Sequence, residues 1–234
     1  RPLATLYPKA DWAPRVFRGK ATFENLTCSH IEGYFRSVSA CRPETKNLLL
    51  HPDVQRQLQG YDTLDLFRAY YEKAGTTDPL SRIQYVDVKT YLPDDILAKV
   101  DRASMANSLE VRSPLLDHRF MELTARMPSS LKLKGTVGKY IFKKSLEKML
   151  PNDVLYRKKM GFAVPLASWL RGDLKPMAES FLLADKQDGM LDKRGVERLW
   201  KEHQSGLRNR STELWTLLMF RMWQQRFSKI TAQH

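Results

Sequence analysis

The sequence predicts a mainly α protein, and three observations carry that reading. Apolar residues recur at helical spacing along most of the 234 residues. Glycine is sparse, at 11, and no Asn-Gly or Asp-Gly pair marks a hairpin. The run Leu214-Trp-Thr-Leu-Leu-Met-Phe is apolar on every side of a helix, a pattern that burial among other elements satisfies. With no linker, repeat or low-complexity run, the chain reads as a single helical domain over 1–234, less regular over 1–80 and motif-bearing over 81–234.

Each element has its own signal. Residues 1–50 are aromatic and proline-bearing, with short helices expected at Trp12–Arg18 and Ile31–Ser37. Asp62–Ala74 reads as a helix turning Leu64, Phe67, Tyr70 and Tyr71 inward. Ile83–Leu92 has strand propensity in Tyr85, Val86 and Val88, yet Leu80, Ile83 and Asp87 fit a helix, and helix is the reading adopted. A helix over Pro93–Asn107 starts with proline where no donor is needed, and sets Asp94 and Asp95 at the positive end of its dipole. Ile96, Val100, Ala103 and Ala106 form its inward stripe, and Asn107 is its left-handed stop.

Ser113 precedes a proline and is pushed toward extended geometry, so the helix cannot run on through Leu109–Ser113. Ser113 is expected to cap a new helix with Pro114 first and Leu116, Phe120, Leu123 and Met127 inward. Thr136 is expected to cap the next helix, to about Leu150, before a short turn at Pro151-Asn-Asp and a loop over Arg157–Pro165. Asp192–Gln204 reads as a capped amphipathic helix with Val196, Leu199, Trp200 and His203 at core spacing, and Ser211–Phe227 as a helix buried nearly all round.

Composition narrows the function without choosing it. A net charge of +13 attracts polyanions, whether nucleic acid, anionic lipid or phosphorylated small molecules. No run of about 18 apolar residues exists to span a membrane. Cys28 and Cys41 have neither CxxC nor Cys/His spacing and read as reduced thiols of a cytoplasmic protein. The opening lacks a starting methionine and an apolar leader, so the sequence reads as part of a longer protein.

Chemistry concentrates in the stretch "SLEVRSPLLD", Ser108 to Asp117. In an extended segment Glu110 and Arg112 share a face. They form either an ion pair that fixes a corner between helices or a carboxylate held near a reacting centre as a proton acceptor. Asp117 is expected to be a partner of a helix N-terminus. Lys139, placed just inside a helix start, and Arg157-Lys158-Lys159, beside Gly161, can together hold a polyphosphate or simply lie solvated. Neither GxxxxGK[ST] nor GxGxxG occurs, the five histidines lack metal spacing, and no nucleic-acid-binding signature emerges.

The long stretch "YLPDDILAKVDRASMANSLEVRSPLLDHRF", followed by "GKYIFKKSLEKMLPNDVLYRKKMGFAVPLASWL", resembles the C-terminal half of the synthetase domain of glutamine-dependent asparagine synthetases. The match is strongest over Tyr91–Leu170, with a looser likeness at "ELWTLLMFRMWQQRF". The opening "LYPKADWAPRVFRGKATF" resembles the asparagine synthetase-like amidotransferases associated with exosortase clusters. The resemblance implies that this chain is the helical C-terminal portion of an α/β, ATP-pyrophosphatase-type synthetase domain, of the adenine nucleotide alpha hydrolase-like class. Such an enzyme uses ATP and Mg2+ to adenylate a carboxylate, aspartate in the parent family, and attaches ammonia from a glutaminase domain. By position, Glu110 then corresponds to the acidic residue at the acyl-adenylate, and Lys139 and Lys159 to phosphate- or pyrophosphate-contacting lysines. Asp95, Arg102, Arg112 and Asp117 belong to the motif as architecture. A homodimer fits the resemblance, while nucleic-acid or membrane partners do not.

Departures from the family pattern matter too. The SGGxDS pyrophosphate loop and an N-terminal catalytic cysteine are missing from this sequence, so the chain alone is expected to make no amide and to bind ATP weakly. Lys-Met-Gly-Phe-Ala-Val-Pro stands where asparagine synthetases carry a polar, Gln-containing stretch, which puts aspartate as substrate in doubt. Two other readings remain: a basic helical module binding nucleic acid or another polyanion, and a non-catalytic assembly subunit.

Overall fold

Helix starts are encoded locally, by caps and prolines. Ser29 and Glu32 form a reciprocal capping box, each side chain accepting the other's backbone N–H, and open α1 (His30–Val38). Proline stands in the first turn of α2 (Pro43–Leu49) and α3 (Pro52–Gln57), where no donor is needed. Then come α4 (Thr63–Lys73), α5 (Pro79–Lys89), a π-helical stretch (Leu92–Leu97) and α6 (Ala98–Met105). A 3-10 turn (Pro114–Leu116) leads to α7 (His118–Arg126) and α8 (Ser129–Lys132). A two-stranded hairpin of β1 (Leu133–Lys134) and β2 (Val137–Gly138) follows, antiparallel with Leu133 opposite Gly138. The remaining helices are α9 (Tyr140–Leu146), α10 (Asn152–Leu155), α11 (Leu166–Trp169), α12 (Lys175–Leu182), α13 (Lys193–Gln204) and α14 (Ser211–Thr231). The computed structural model describes residues 28–158, 164–184 and 189–231, with side chains through residue 227. The helix expected at Trp12–Arg18 lies outside them.

The described residues fall into two compact units, one within 1–63 and 163–234, the other within 64–162. In the first unit α14 is the central helix. Its Leu214, Leu217 and Leu218 are buried against Leu170, Ala178, Leu182, Leu199 and Trp200 from α11 to α13 and their ends. Deleting such a side chain costs about 2–5 kcal/mol. The helix expected to be buried nearly all round buries only one face: Thr212, Thr216 and Met219 are exposed in its first half, and Trp223 and Phe227 further on at 55% and 47%.

Helix α13 forms as its pattern predicts. Asp192 caps it by accepting from the Gly195 N–H at 2.7 Å, and Val196, Leu199, Trp200 and His203 are buried. The early segment docks beside it through His51 N to the Met190 carbonyl at 2.9 Å and Asp192 N to the Leu49 carbonyl at 2.8 Å. Gly195 allows this approach, because a Cβ there would lie 2.0 Å from the Leu48 carbonyl oxygen.

The second unit contrasts sharply. Among its described residues only Tyr71 and Val86 are buried apolar side chains, while Leu97, Val100, Met105, Leu109, Val111 and Leu115 are exposed. Helix prevails over strand propensity at α5, where Val86 is fully buried. The helix expected over Pro93–Asn107 is instead a π-helical stretch running into α6. Its left-handed stop is Ser108, not Asn107, whose amide donates back to the Ala103 carbonyl. The stripe is not buried either: Val100, Ala103 and Ala106 are exposed. Pro114 starts only a single 3-10 turn, and the Ser113 side chain makes no cap hydrogen bond. Thr136 caps nothing, because Gly135, left-handed at φ 58°, turns the chain into the hairpin and delays α9 to Tyr140.

At the end of α13, fully buried His203 accepts the Arg210 N–H on Nδ1 at 3.2 Å, and its carbonyl accepts from Arg171 Nε at 2.8 Å. Beside it, Arg210 bridges Glu202 and Glu213. Burial raises the Glu202 carboxyl, but hydrogen bonding and charge from Arg210 outweigh it and hold the group below its usual range. Burial, and then the charge of Arg171, pull His203 below its ordinary value near 6.5. Between that lowered value and about 6.5 the unfolded chain binds a proton that the folded chain does not, so stability falls as pH drops through this window. Urea unfolding should therefore show a lower midpoint at pH 5.5 than at 7.5. The difference should shrink in His203→Asn, whose amide oxygen keeps an acceptor for Arg210; an unchanged difference would contradict the assignment.

Candidate functional site

The site is built in the second unit, from α5 outward. Asp78 caps α5 by accepting the Ser81 N–H at 2.8 Å. The same carboxylate oxygen accepts a short hydrogen bond from the Ser129 hydroxyl, 51 residues on, at the start of α8. The Ser129 and Ser81 hydrogen bonds hold the Asp78 carboxyl below the usual carboxylate range. Nearby, Lys132 Nζ donates to Gln84 Oε1 at 3.1 Å, so α5 and the end of α8 are joined twice.

These joints frame a cavity of about 1010 Å³. Tyr85 and Val88 of α5, Ile96 of the π-helical stretch, Phe120 of α7, and Ile141 and Phe142 of α9 give it an apolar wall. Three cations line it: Arg126, Lys132 and Lys139. Among the described residues neither Arg126 nor Lys139 has a carboxylate within salt-bridge distance. Asp87 and Glu122 are the lining carboxyls, and burial pushes Asp87 above its usual range.

Lys139 stands one residue before α9 rather than inside it, with left-handed backbone at φ 57°. That placement follows from the hairpin, which ends at Gly138 and must turn sharply into the helix. The seven-residue α9 then carries Lys143 and Lys144, engaged with the Tyr156 ring and with Glu147.

Glu110 and Arg112 do meet, Arg112 Nε donating to Glu110 Oε1 at 2.6 Å. Their side chains are 68% and 88% exposed, so this is a surface pair of little stabilising weight. It does not line the cavity. Asp117 caps α7 by accepting from the Arg119 and Phe120 N–H groups at 3.0 and 3.4 Å, the N-terminal role expected of it. Asp95 lies 3.8 Å from Lys99 across one exposed helical turn. Arg102 is exposed on α6. Lys159 lies outside the described residues. Arg126, Lys132 and Asp87 were not singled out by sequence. Asp87 shares a helical face with Ile83, four residues earlier, whereas Arg126 and Lys132 carry no such signal in the sequence.

Comparison with known proteins adds a second line. The asparagine synthase family model matches residues 5–225. A Mycobacterium tuberculosis protein, provisionally named a glutamine-hydrolysing asparagine synthetase, is 40% identical over 214 residues, 90% of this chain and 32% of its own. Glutamine-hydrolysing asparagine synthetase 1 of Bacillus subtilis is 30% identical over 213 residues, 90% of this chain and 33% of its own. The asparagine synthetase of Gallus gallus is 32% identical over 113 residues, 47% of this chain and 20% of its own. The chain thus spans about a third of the length of the first two relatives. No solved structure matches it.

If Asp78 and Ser129 act as one joint, Asp78→Ala and Ser129→Ala should each lower stability, and the double variant should lose less than the sum. Additive losses in urea unfolding would show that the two side chains are not coupled.

Proposed function

The chain belongs to the asparagine synthase family, and from that premise we propose that it forms part of an ATP-dependent, glutamine-using amidotransferase. The observation that carries the reading is the family match over residues 5–225, which includes every candidate site residue. In this reading ATP adenylates a carboxylate and releases pyrophosphate. Ammonia drawn from glutamine then displaces AMP to form an amide.

Each residue's part follows from its chemistry. Negative charge gathers on the departing pyrophosphate, so cations near it lower the barrier. Lys139, which lines the cavity without a carboxylate partner among the described residues, would serve that task, and Lys159 would share it. Attack by ammonia leaves a cationic adduct that must lose a proton, and Glu110 is the acceptor. Arg112, paired to it at 2.6 Å, orients the carboxylate. Asp117, as the cap of α7, sets where the segment bearing both turns back into helix. Asp95 and Arg102 are architectural.

The described residues include no group of three or more His, Cys, Asp or Glu able to hold a metal ion. None of their helices is long and apolar enough to cross a membrane. The apolar side chains left exposed around Glu110, such as Leu109, Val111 and Leu115, would meet the α/β sheet of the synthetase domain. Without the SGGxDS loop in its sequence, this chain alone would turn over no substrate.

The test is a Glu110→Gln variant of the full-length enzyme. Pyrophosphate release should continue while amide yield falls by about 10²-fold or more. Unaltered amide yield would end the assignment of Glu110.

A further inference from the structure

The apolar side of helix α14 changes over along its length. Up to Leu218 the helix turns Leu214, Leu217 and Leu218 into the core and leaves Thr212 and Thr216 outside. The inward side then continues, at the same helical spacing, through Arg221 and Gln225, which are polar. The outward side, in phase with Thr212 and Thr216, runs on through Met219, Trp223 and Phe227. These three are exposed at 36%, 55% and 47%, with Met222 beside them at 38%. The Trp223 ring lies 5.2 Å from that of Phe227, so the side chains form a continuous apolar ridge. Beyond Leu218, α14 is therefore amphipathic away from its own core.

Charge beside the ridge is positive with every acid counted. Past Glu213, the sequence of α14 holds Arg221, Arg226 and Lys229 and no acid. The Gln224 amide meets Met190 Sδ at 2.9 Å, and the stretch that follows Met190 carries Lys193, Arg194 and Arg198 against Asp192 and Glu197. On α3, whose lead-in docks at Met190, Asp53 is balanced by Arg56. We propose that α14 beyond Leu218 is a docking ridge for an anionic lipid surface. Met219, Trp223 and Phe227 enter the boundary between headgroups and acyl chains, and the cations meet lipid phosphates. A helix lying in that boundary needs an apolar side and basic flanks rather than the length to cross, and none of the described helices can cross. A second copy of the chain suits the ridge less, because it would bring two basic faces together. The inference is independent of the synthetase reading and departs from the expectation of no membrane partner.

The test sediments the 234-residue chain with vesicles of phosphatidylcholine and phosphatidylglycerol in equal parts, and with phosphatidylcholine alone. The mixed vesicles should bind at least about ten-fold more tightly. Trp223→Ser with Phe227→Ser should weaken that binding about ten-fold or more, circular dichroism confirming the fold. Arg226→Gln should weaken it about five-fold, the effect of one cation near a charged surface. Met105→Ser, at an exposed apolar position of the second unit, should bind as the parent chain does. Phospholipid brominated in its acyl chains should quench the tryptophan fluorescence of the bound chain. Most of that quenching should vanish in Trp223→Phe, which keeps the ridge aromatic. The inference is overturned if the mixed vesicles are not bound, if phosphatidylcholine alone binds equally, or if the quenching persists in Trp223→Phe. A loss in Met105→Ser equal to that of the ridge variant would also overturn it, since any exposed apolar side chain would then serve. So would a dimer, seen by light scattering without lipid, that dissociates in the ridge variant, because the ridge would then join two copies of the chain.

Discussion

The second unit depends on one carboxylate. Asp78 ends the loop before α5 as its cap and, through the Ser129 hydroxyl, ties that helix to a segment 51 residues later. Everything between these points, including the motif "SLEVRSPLLD", is a long excursion closed by this joint. Few apolar side chains are buried in the unit, so a polar link carries positioning that a dense core would otherwise supply. Because Ser129 leads through the hairpin to Lys139, the joint also sets where that lysine stands relative to α5.

The first unit works by the opposite means. Its elements close through burial around Leu214 and Leu218, with a glycine at the tightest approach and an Arg210 centred ion network at one end. Burial there explains why Cys41 behaves as a structural thiol: desolvation, helped by the Glu213 charge, pushes it up to about 11, far from a reactive thiolate.

Legibility in the sequence followed the range of the interactions. Caps and short-range periodicity were readable at Asp192 with α13 and at the helix rather than strand around Val86. The cap of α7, by contrast, was expected at Ser113 and lies at Asp117. Features set by a single unusual backbone angle were not. Gly135 makes a hairpin without an Asn-Gly or Asp-Gly signature, and that one turn moved the start of α9 past Thr136 and Lys139. The stripe at Val100 and Ala103 has the pattern of a buried face, yet it lies exposed in the described residues. Periodicity records that a face is apolar and not which surface will cover it. Glu110 and Arg112 were legible as a pair, but their exposure and their separation from the cavity lining required coordinates. The cavity itself was invisible, since its walls come from four segments spread over 74–142.

The central claim is that the family reading means carboxylate adenylation, with Lys139 on the pyrophosphate side. The most direct measurement is oxygen transfer. The full-length protein would be given ATP, glutamine and an 18O-labelled carboxylate substrate, and the products analysed by mass spectrometry. The account predicts 18O in AMP, because the attacking carboxylate leaves one of its oxygens on the α-phosphorus when ammonia displaces it. Label in inorganic phosphate, or amide formed with no label in AMP, would contradict it.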